Sequence, residues 1–362
     1  MTLSEIAKYR LISQQIAETK FKSIQDLVGW MGAIQAQDFP MSKWAVGVRL
    51  PGSTEQMIEN AIDNAGIIRT HLLRPTWHLV SADDIYWMLE LTAPQIKTQL
   101  KSRHKFLGLN ERLILKSNKV IEKTLLKGIN VTREEIVVQL EKAGFKNDDN
   151  RASHLLLVAE LDGLICSGKT KNHRHTYALL NERVPRRQKI NREEALAKLA
   201  LKYFSSHCPA SLADFVWWSG LSVKDAKYAL ESVRTNFVQE KIDSTIYWFA
   251  NNLKLPKKEK DSVHLLPAYD EFIVSYKDRS AVLTMENLKK TITKNGLFYP
   301  TVVKNGQAIG IWKQITEKDK VLIEVEALQS KDKIPKNKIE NSVTEFEFFL
   351  GKQVELVYRN WK

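Results

Sequence analysis

Cysteine is nearly absent from this chain. Two in 362 residues, Cys166 and Cys208 in unrelated contexts, exclude a disulfide framework and a cysteine-rich zinc site, and they suit a reducing cytoplasm. No run approaches the roughly 20 apolar residues that a membrane span needs. The opening MTLSEIAKYR has no basic stretch followed by an apolar one, so a secretory signal is not expected. Also missing are a G-x-S-x-G elbow, a phosphate-binding Walker loop and a dinucleotide fingerprint. His71 with His78, and His173 with His175, form pairs, but no acidic or cysteine partner stands at ligand spacing, so no metal and no cofactor are expected.

What is present is positive charge on an ordinary globular composition. The chain is 43% hydrophobic and 27% charged, and 55 Lys and Arg against 42 Asp and Glu leave a net charge of +13. Such a surplus suits a polyanion, because each neutralised phosphate releases counterions.

Helix-start signals recur with extended pairs behind them. Thr2 with Glu5 has capping-box spacing, a helix over 24–31 ends at Gly32, another covers 53–64, and two extended runs follow at 67–73 and 76–80. The same order returns from Thr132 and Glu135, with helices to 142 and over 151–161 and a hairpin of 164–167 and 175–180. It returns again from Asn191, with helices begun at Ser211 and Ser222 and strands at 237–241 and 246–250. Helices followed by a strand pair are the order of a winged helix. After the polar break at 254–261 strands dominate, with Asn305-Gly306 between two of them as a strong hairpin signal. The expected fold is α+β, mainly α. It has winged-helix units at 1–125, 126–188 and 189–255 and a small β-rich, barrel-like domain at 262–362.

The charge falls where such units meet DNA. Lys169, Lys171 and Arg174 sit in the second hairpin loop, Arg186 and Arg187 in the linker, and Lys224 and Lys227 on one face of the helix after Ser222. Lysines bind phosphate but cannot read a base with two hydrogen bonds as arginine does, which points to sequence-tolerant binding of double-stranded DNA. A solvated helix face or hairpin tip is the structural alternative for each.

One run has a different character, Gly32-Ala-Ile-Gln35-Ala-Gln37-Asp38-Phe-Pro40. Pro40 disfavours a helical Phe39, so the stretch reads as extended. Residues two apart then share a side, and two amides facing one volume can hold a water without carrying charge. Asp38, offset by one, points to the other side.

The runs GAIQAQDFPMSKWAVGVRL, IIRTHLLRPTWHLV, PASLADFVWWSGLSVKDAKYAL and HLLPAYDEFIVSYKDR, in this order, resemble the AlkZ-like winged-helix DNA glycosylases over almost the whole chain. The resemblance implies three tandem winged helices and a β-barrel domain forming a concave basic scaffold. It implies that Gln35 and Gln37 match the catalytic Gln-x-Gln or Gln-x-Asp motif, in the Gln-x-Gln form associated with unhooking bulky or crosslinked purine adducts. A monofunctional enzyme acting as a monomer on damaged DNA is expected, with Asp38, Trp44, Arg69, His78, Asp270 and Arg279 assisting or lining the cleft. The structural alternatives are core packing for Trp44, a strand position for His78, and an internal ion pair of Asp270 with Arg279. The competing functional reading is a non-enzymatic DNA-binding protein, either a transcriptional regulator or a lesion sensor.

Overall fold

The computed structural model describes all residues except 187, 252, 256–260, 318–319, 330–334 and 360–362. Its helices start where side chains can cap them. Thr2, Ser23, Thr54, Thr132, Asn191, Ser211 and Ser222 each accept a hydrogen bond from a backbone N–H of the first turn that follows.

One supersecondary order occurs three times. First come helix Ile24–Met31, strand Ile34–Gln35, helices Phe39–Gly47 and Glu55–Asp63, and hairpin Ile67–Leu72 with Thr76–Ser81. Second come helix Glu111–Leu125, strand Val131–Thr132, helices Arg133–Lys142 and Arg151–Leu161, and hairpin Ile165–Ser167 with Thr176–Leu179. Third come helix Arg192–Ser206, strand Ala210–Ser211, helices Leu212–Ser219 and Val223–Ser232, and hairpin Phe237–Ile242 with Thr245–Ala250. In every repeat the two-residue strand pairs antiparallel with the last hairpin strand, which sits in the middle of a three-stranded sheet. Helix Ile85–Phe106 lies between the first two repeats in sequence and packs on helices Arg192–Ser206 and Arg151–Leu161.

The C-terminal part is one five-stranded sheet. Strands Val263–Leu266, Thr301–Lys304, Gln307–Thr316, Val321–Ala327 and Val354–Arg359 lie side by side in chain order. Among the described residues this sheet does not close, which corrects the barrel expectation. The last two strands run parallel, so a crossover must join them, and helix Lys336–Leu350 supplies it. That helix then lies against the first strand, with Ser342 Oγ donating to the Val263 carbonyl at 2.7 Å.

The apolar face of the sheet is buried against the first repeat. Val302, Ile323, Val325, Phe346 and Phe349 share one core with Leu27, Ile34, Trp44 and Ile58. The Asn305-Gly306 turn is where the sheet meets the N-terminal helix Leu3–Ser13. Gly306 has φ +85°, and a Cβ there would come within 2.8 Å of the Ala7 Cβ, so only glycine fits.

One local expectation was wrong. Pro40 does not hold its surroundings extended: Asp38 caps helix Phe39–Gly47 through a 3.0 Å bond from Met41 N–H, and Pro40 stands in the first turn. Proline is tolerated there because its missing N–H would be unpaired anyway. The long helix Ile85–Phe106 carries no clear start signal and was not anticipated.

Candidate active site

The first short strand places Gln35 opposite His78 on the central hairpin strand, so their side chains share a face of the sheet. Gln35 is 6% exposed and His78 is fully buried. Burial, reinforced by nearby Arg74, pushes the His78 imidazole down to about 4, so it is neutral near pH 7. Its Nδ1 lies 3.0 Å from the Thr76 carbonyl, the geometry of an Nδ1–H donor.

Gln35 is held at both ends. Its backbone N–H donates to Glu271 Oε1 at 2.6 Å, and its side-chain Oε1 accepts from Arg74 Nη2 at 3.0 Å. An arginine can only donate, so the amide is oriented with its oxygen toward Arg74 and its NH2 group unspent among the described residues. Ala36 continues the strand with an N–H bond to the Trp77 carbonyl at 2.7 Å. The Ala36 carbonyl accepts two bonds from Arg69, from Nε at 3.0 Å and Nη2 at 2.8 Å. The chain bends after Ala36, and Gln37 is exposed. The strand therefore separates the two glutamines by environment, Gln35 buried and Gln37 open, where a continuous extended run had been expected.

Glu271 is fully buried, which by itself would raise its pKa, yet the carboxyl is held down at about 2. Its donors are Trp218 Nε1 at 3.1 Å, the Ser275 hydroxyl and Gln35 N–H, with His207 Nε2 at 3.5 Å. A buried carboxylate surrounded by donors stays ionised.

The equivalent junctions in the other repeats are built differently. Thr132 and Ser211 stand where Gln35 stands, each the second residue of its short strand, and each is itself the N-cap of the helix that follows at once. Their backbone N–H groups also donate to carboxylates, but to local ones: Glu135 at 2.7 Å and Asp214 at 2.9 Å, three residues on. In the first repeat three residues, Ala36 to Asp38, intervene before the helix.

The remaining anticipated residues divide. Arg69 is 6% exposed and lies 4.0 Å from the centre of the Trp77 ring, so its role is to hold the Ala36 carbonyl rather than line open space. Trp44 is core: it packs on Phe346 and Phe349 and donates to the Leu265 carbonyl at 2.7 Å. Asp270 pairs with Arg49 through two 2.8 Å bonds, and not with Arg279. Arg279 instead lies 5.4 Å from the Trp217 ring and 5.2 Å from Phe298. Arg74 lies 5.5 Å from that same Trp217 ring, so Arg279 belongs with the Gln35 group and Asp270 does not.

The expected DNA contacts are scattered. The second hairpin loop docks on the first repeat: Thr170 N–H and hydroxyl both donate to Asp63 Oδ1, at 2.7 and 3.0 Å, and His173 lies 3.1 Å from Glu59. Lys169 and Arg174 remain exposed, while Lys171 pairs with Glu135 at 3.2 Å. Lys224 and Lys227 are exposed on helix Val223–Ser232. Arg186 leans on Tyr86 and lines a concavity of about 820 Å³ with Trp30, Trp87 and Lys202, none of it formed by Gln35 or Gln37. Arg187 lies outside the described residues. No group of three or more metal-ligating side chains occurs, and no helix is long and apolar enough to cross a membrane, among the described residues.

Arg74 and Glu271 were missed from sequence. Glu271 adjoins Asp270, and nothing in the run AYDEFIV tells which acid turns toward Gln35. Arg74 stands in a tight turn before Pro75, where only the positive φ of Leu73 lets the chain reverse.

Comparison with known proteins follows this geometry. A solved DNA glycosylase AlkZ from Streptomyces sahachiroi superposes with a TM-score of 0.81 at 17% identity, over 99% of this chain and 100% of the other. An interstrand DNA cross-link repair glycosylase of Streptomyces sahachiroi is 19% identical over 333 residues, 86% of this chain and 88% of that one. The family model for DNA glycosylase AlkZ-like proteins matches residues 28–347, and the chain belongs to that family of DNA glycosylases.

Proposed function

We propose that the protein is a monofunctional glycosylase that hydrolyses the N-glycosidic bond of N7-alkylated purines in duplex DNA. The three repeats serve as winged-helix units, with the basic side chains of their loops and helices on phosphate. The observation that carries this reading is the oriented Gln35 amide, its oxygen on Arg74 and its NH2 free among the described residues, two residues before the exposed Gln37.

Alkylation at N7 places a positive charge on guanine and makes it a good leaving group. The remaining barrier is that of placing a water beneath C1′ while the sugar becomes oxocarbenium-like, and positioning is a large share of that task. Two neutral amides supply donors and acceptors for the water without a charge of their own. His78, neutral and buried opposite Gln35, adds no charge beside it. Asp38 spends one oxygen on the helix cap, which leaves it a supporting part. The relative named for interstrand cross-link repair makes bulky and crosslinked adducts the first substrates to try.

The test is release of free base from duplexes carrying N7-methylguanine or a bulky N7 adduct. The Gln35→Ala, Gln37→Ala double variant, folded by circular dichroism, should lose at least about 100-fold in rate, the scale of a lost transition-state positioning contact. Undiminished release would remove the glutamines from the mechanism. Tight, base-specific binding with no release from any adduct would favour a non-enzymatic sensor or regulator.

A further inference from the structure

Trp217 is a large aromatic left 39% exposed, its Nε1 fixed to the Val274 carbonyl at 2.9 Å. Two guanidiniums lie on this one indole, Arg74 at 5.5 Å and Arg279 at 5.4 Å from its centre, and Arg279 is also 5.2 Å from Phe298. Arginine on an aromatic face is ordinary packing. What sets this pair apart is the lack of anionic partners.

Neither arginine has an ion pair among the described residues. Arg74 gives one N–H to Gln35 Oε1, and its buried Nε finds no acceptor. Arg279 gives Nε to the Ile273 carbonyl at 3.0 Å and a long 3.4 Å bond to the Lys277 carbonyl, and its buried Nη2 finds no acceptor. The carboxylate whose charge reaches Arg74, Glu271, is already taken by Gln35 N–H, Trp218 and Ser275, and the one that reaches Arg279 most, Asp214, is taken by Ser211 and by the Lys277 and Asp278 N–H groups. The strain is visible in their protonation: burial, together with the charge of Arg74, pulls Arg279 down to about 10, and burial lowers Arg74 as well. Two under-neutralised cations that share one indole cost free energy that an anion would recover.

The anion has to satisfy a further condition. A bare guanidinium beside Gln35 would oppose an oxocarbenium-like sugar, so the charge must be compensated while the reaction runs. A phosphodiester of the DNA strand does this and matches the planar donor fork of arginine. We propose that Arg74 and Arg279, set by Trp217, grip the backbone phosphates of the strand that carries the lesion, next to the nucleotide presented to Gln35 and Gln37. This rests on the reading of the chain as an enzyme acting on duplex DNA. Arg74 is thereby both a phosphate ligand and the positioning residue for the Gln35 amide.

The experiment is equilibrium binding of the full chain to a duplex oligonucleotide across a salt series. Each lost phosphate contact flattens the slope of log K against log salt by about 0.9. Arg74→Gln and Arg279→Gln should each flatten it by about that amount, so that raising salt from about 50 to 200 mM weakens binding about 3.5-fold less than in the parent protein. The double variant should show about twice the change. Arg279→Lys keeps the charge and should keep the slope, which separates a phosphate contact from a packing defect. Slopes unchanged in all three glutamine variants, even with weaker binding, would overturn the proposal. The measurement does not depend on turnover, so a parent protein that releases no base yet shows these slope changes would sink the glycosylase mechanism and leave the phosphate grip standing.

Discussion

The junction between short strand and next helix is built twice from local parts and once from a distant one. In the second and third repeats, Thr132 and Ser211 cap the helix with their side chains and give their backbone N–H to Glu135 and Asp214, three residues on. That reciprocal box satisfies two otherwise orphaned donors within one turn. In the first repeat the same backbone donor, on Gln35, goes to Glu271, which is 236 residues away. With the strand anchored from outside, the side chain at that position is released from capping duty, and two residues, Ala36 and Gln37, can stand between strand and cap. Gln35 and Gln37 occupy the space so gained. The repeat that carries the candidate chemistry is the one whose strand residue gave up capping, a task passed on to Asp38, which agrees with the expectation that functional sites depart from local rules.

If Glu271 truly replaces the local box, its loss should hurt most. Glu271→Ala leaves Gln35 N–H and Trp218 Nε1 without their acceptor, and should cost about 1–3 kcal/mol for each in urea or thermal unfolding. A cost near that of an ordinary cap would mean that the strand is anchored by other contacts. The next largest effect separates the residues facing the three junctions. His78 stands opposite Gln35, whereas Thr176 and Tyr247 stand opposite Thr132 and Ser211. In the folded protein His78 stays neutral down to about 4, while the unfolded chain takes up the proton near 6.5. The stability it contributes is therefore complete above about 6.5 and is lost as pH falls toward 4, by an amount on the order of 3 kcal/mol. In chemical unfolding followed from pH 7 to 4, His78→Gln should lose less than the parent does; parallel curves would disprove the assignment. The smallest effect concerns the caps. Asp38→Ala, Thr132→Ala and Ser211→Ala should each cost about 1 kcal/mol. Base release at a temperature well below unfolding should be affected less than 10-fold in all three, and a larger fall in Asp38→Ala alone would give that carboxylate a chemical part.

Much of the scaffold was legible because it is written in short-range chemistry. Capping residues marked helix starts at Thr2, Thr132, Asn191, Ser211 and Ser222, and Asn305-Gly306 marked its hairpin. Even the failure at Asp38 was local: a capping aspartate followed by proline in the first turn opens a helix, and Pro40 was weighed without its cap. The site was legible only in part. The glutamines stand out as a spacing, but what orients them comes from Arg74 in a turn and Glu271 in the C-terminal part, and no local pattern couples residues that far apart. Asp270 and Glu271 are adjacent acids with opposite fates. The first is claimed by Arg49 and the second by Gln35 N–H, and only the packed structure assigns them. The barrel expectation failed for a similar reason: which edge a helix such as Lys336–Leu350 will cover is decided by packing.

The bond from Gln35 N–H to Glu271 also fixes an order in time. During synthesis the N-terminal repeats leave the ribosome first, and at about 5–20 residues per second the 236 residues between Gln35 and Glu271 take roughly 10–50 s to make. Throughout that interval the first repeat can collapse and pair its short strand with the hairpin, yet Gln35 N–H has no carboxylate to bind. A nascent or truncated chain ending before Glu271 thus holds the Gln35 strand without the carboxylate that fixes its backbone, and the candidate site is completed only from the C-terminal part.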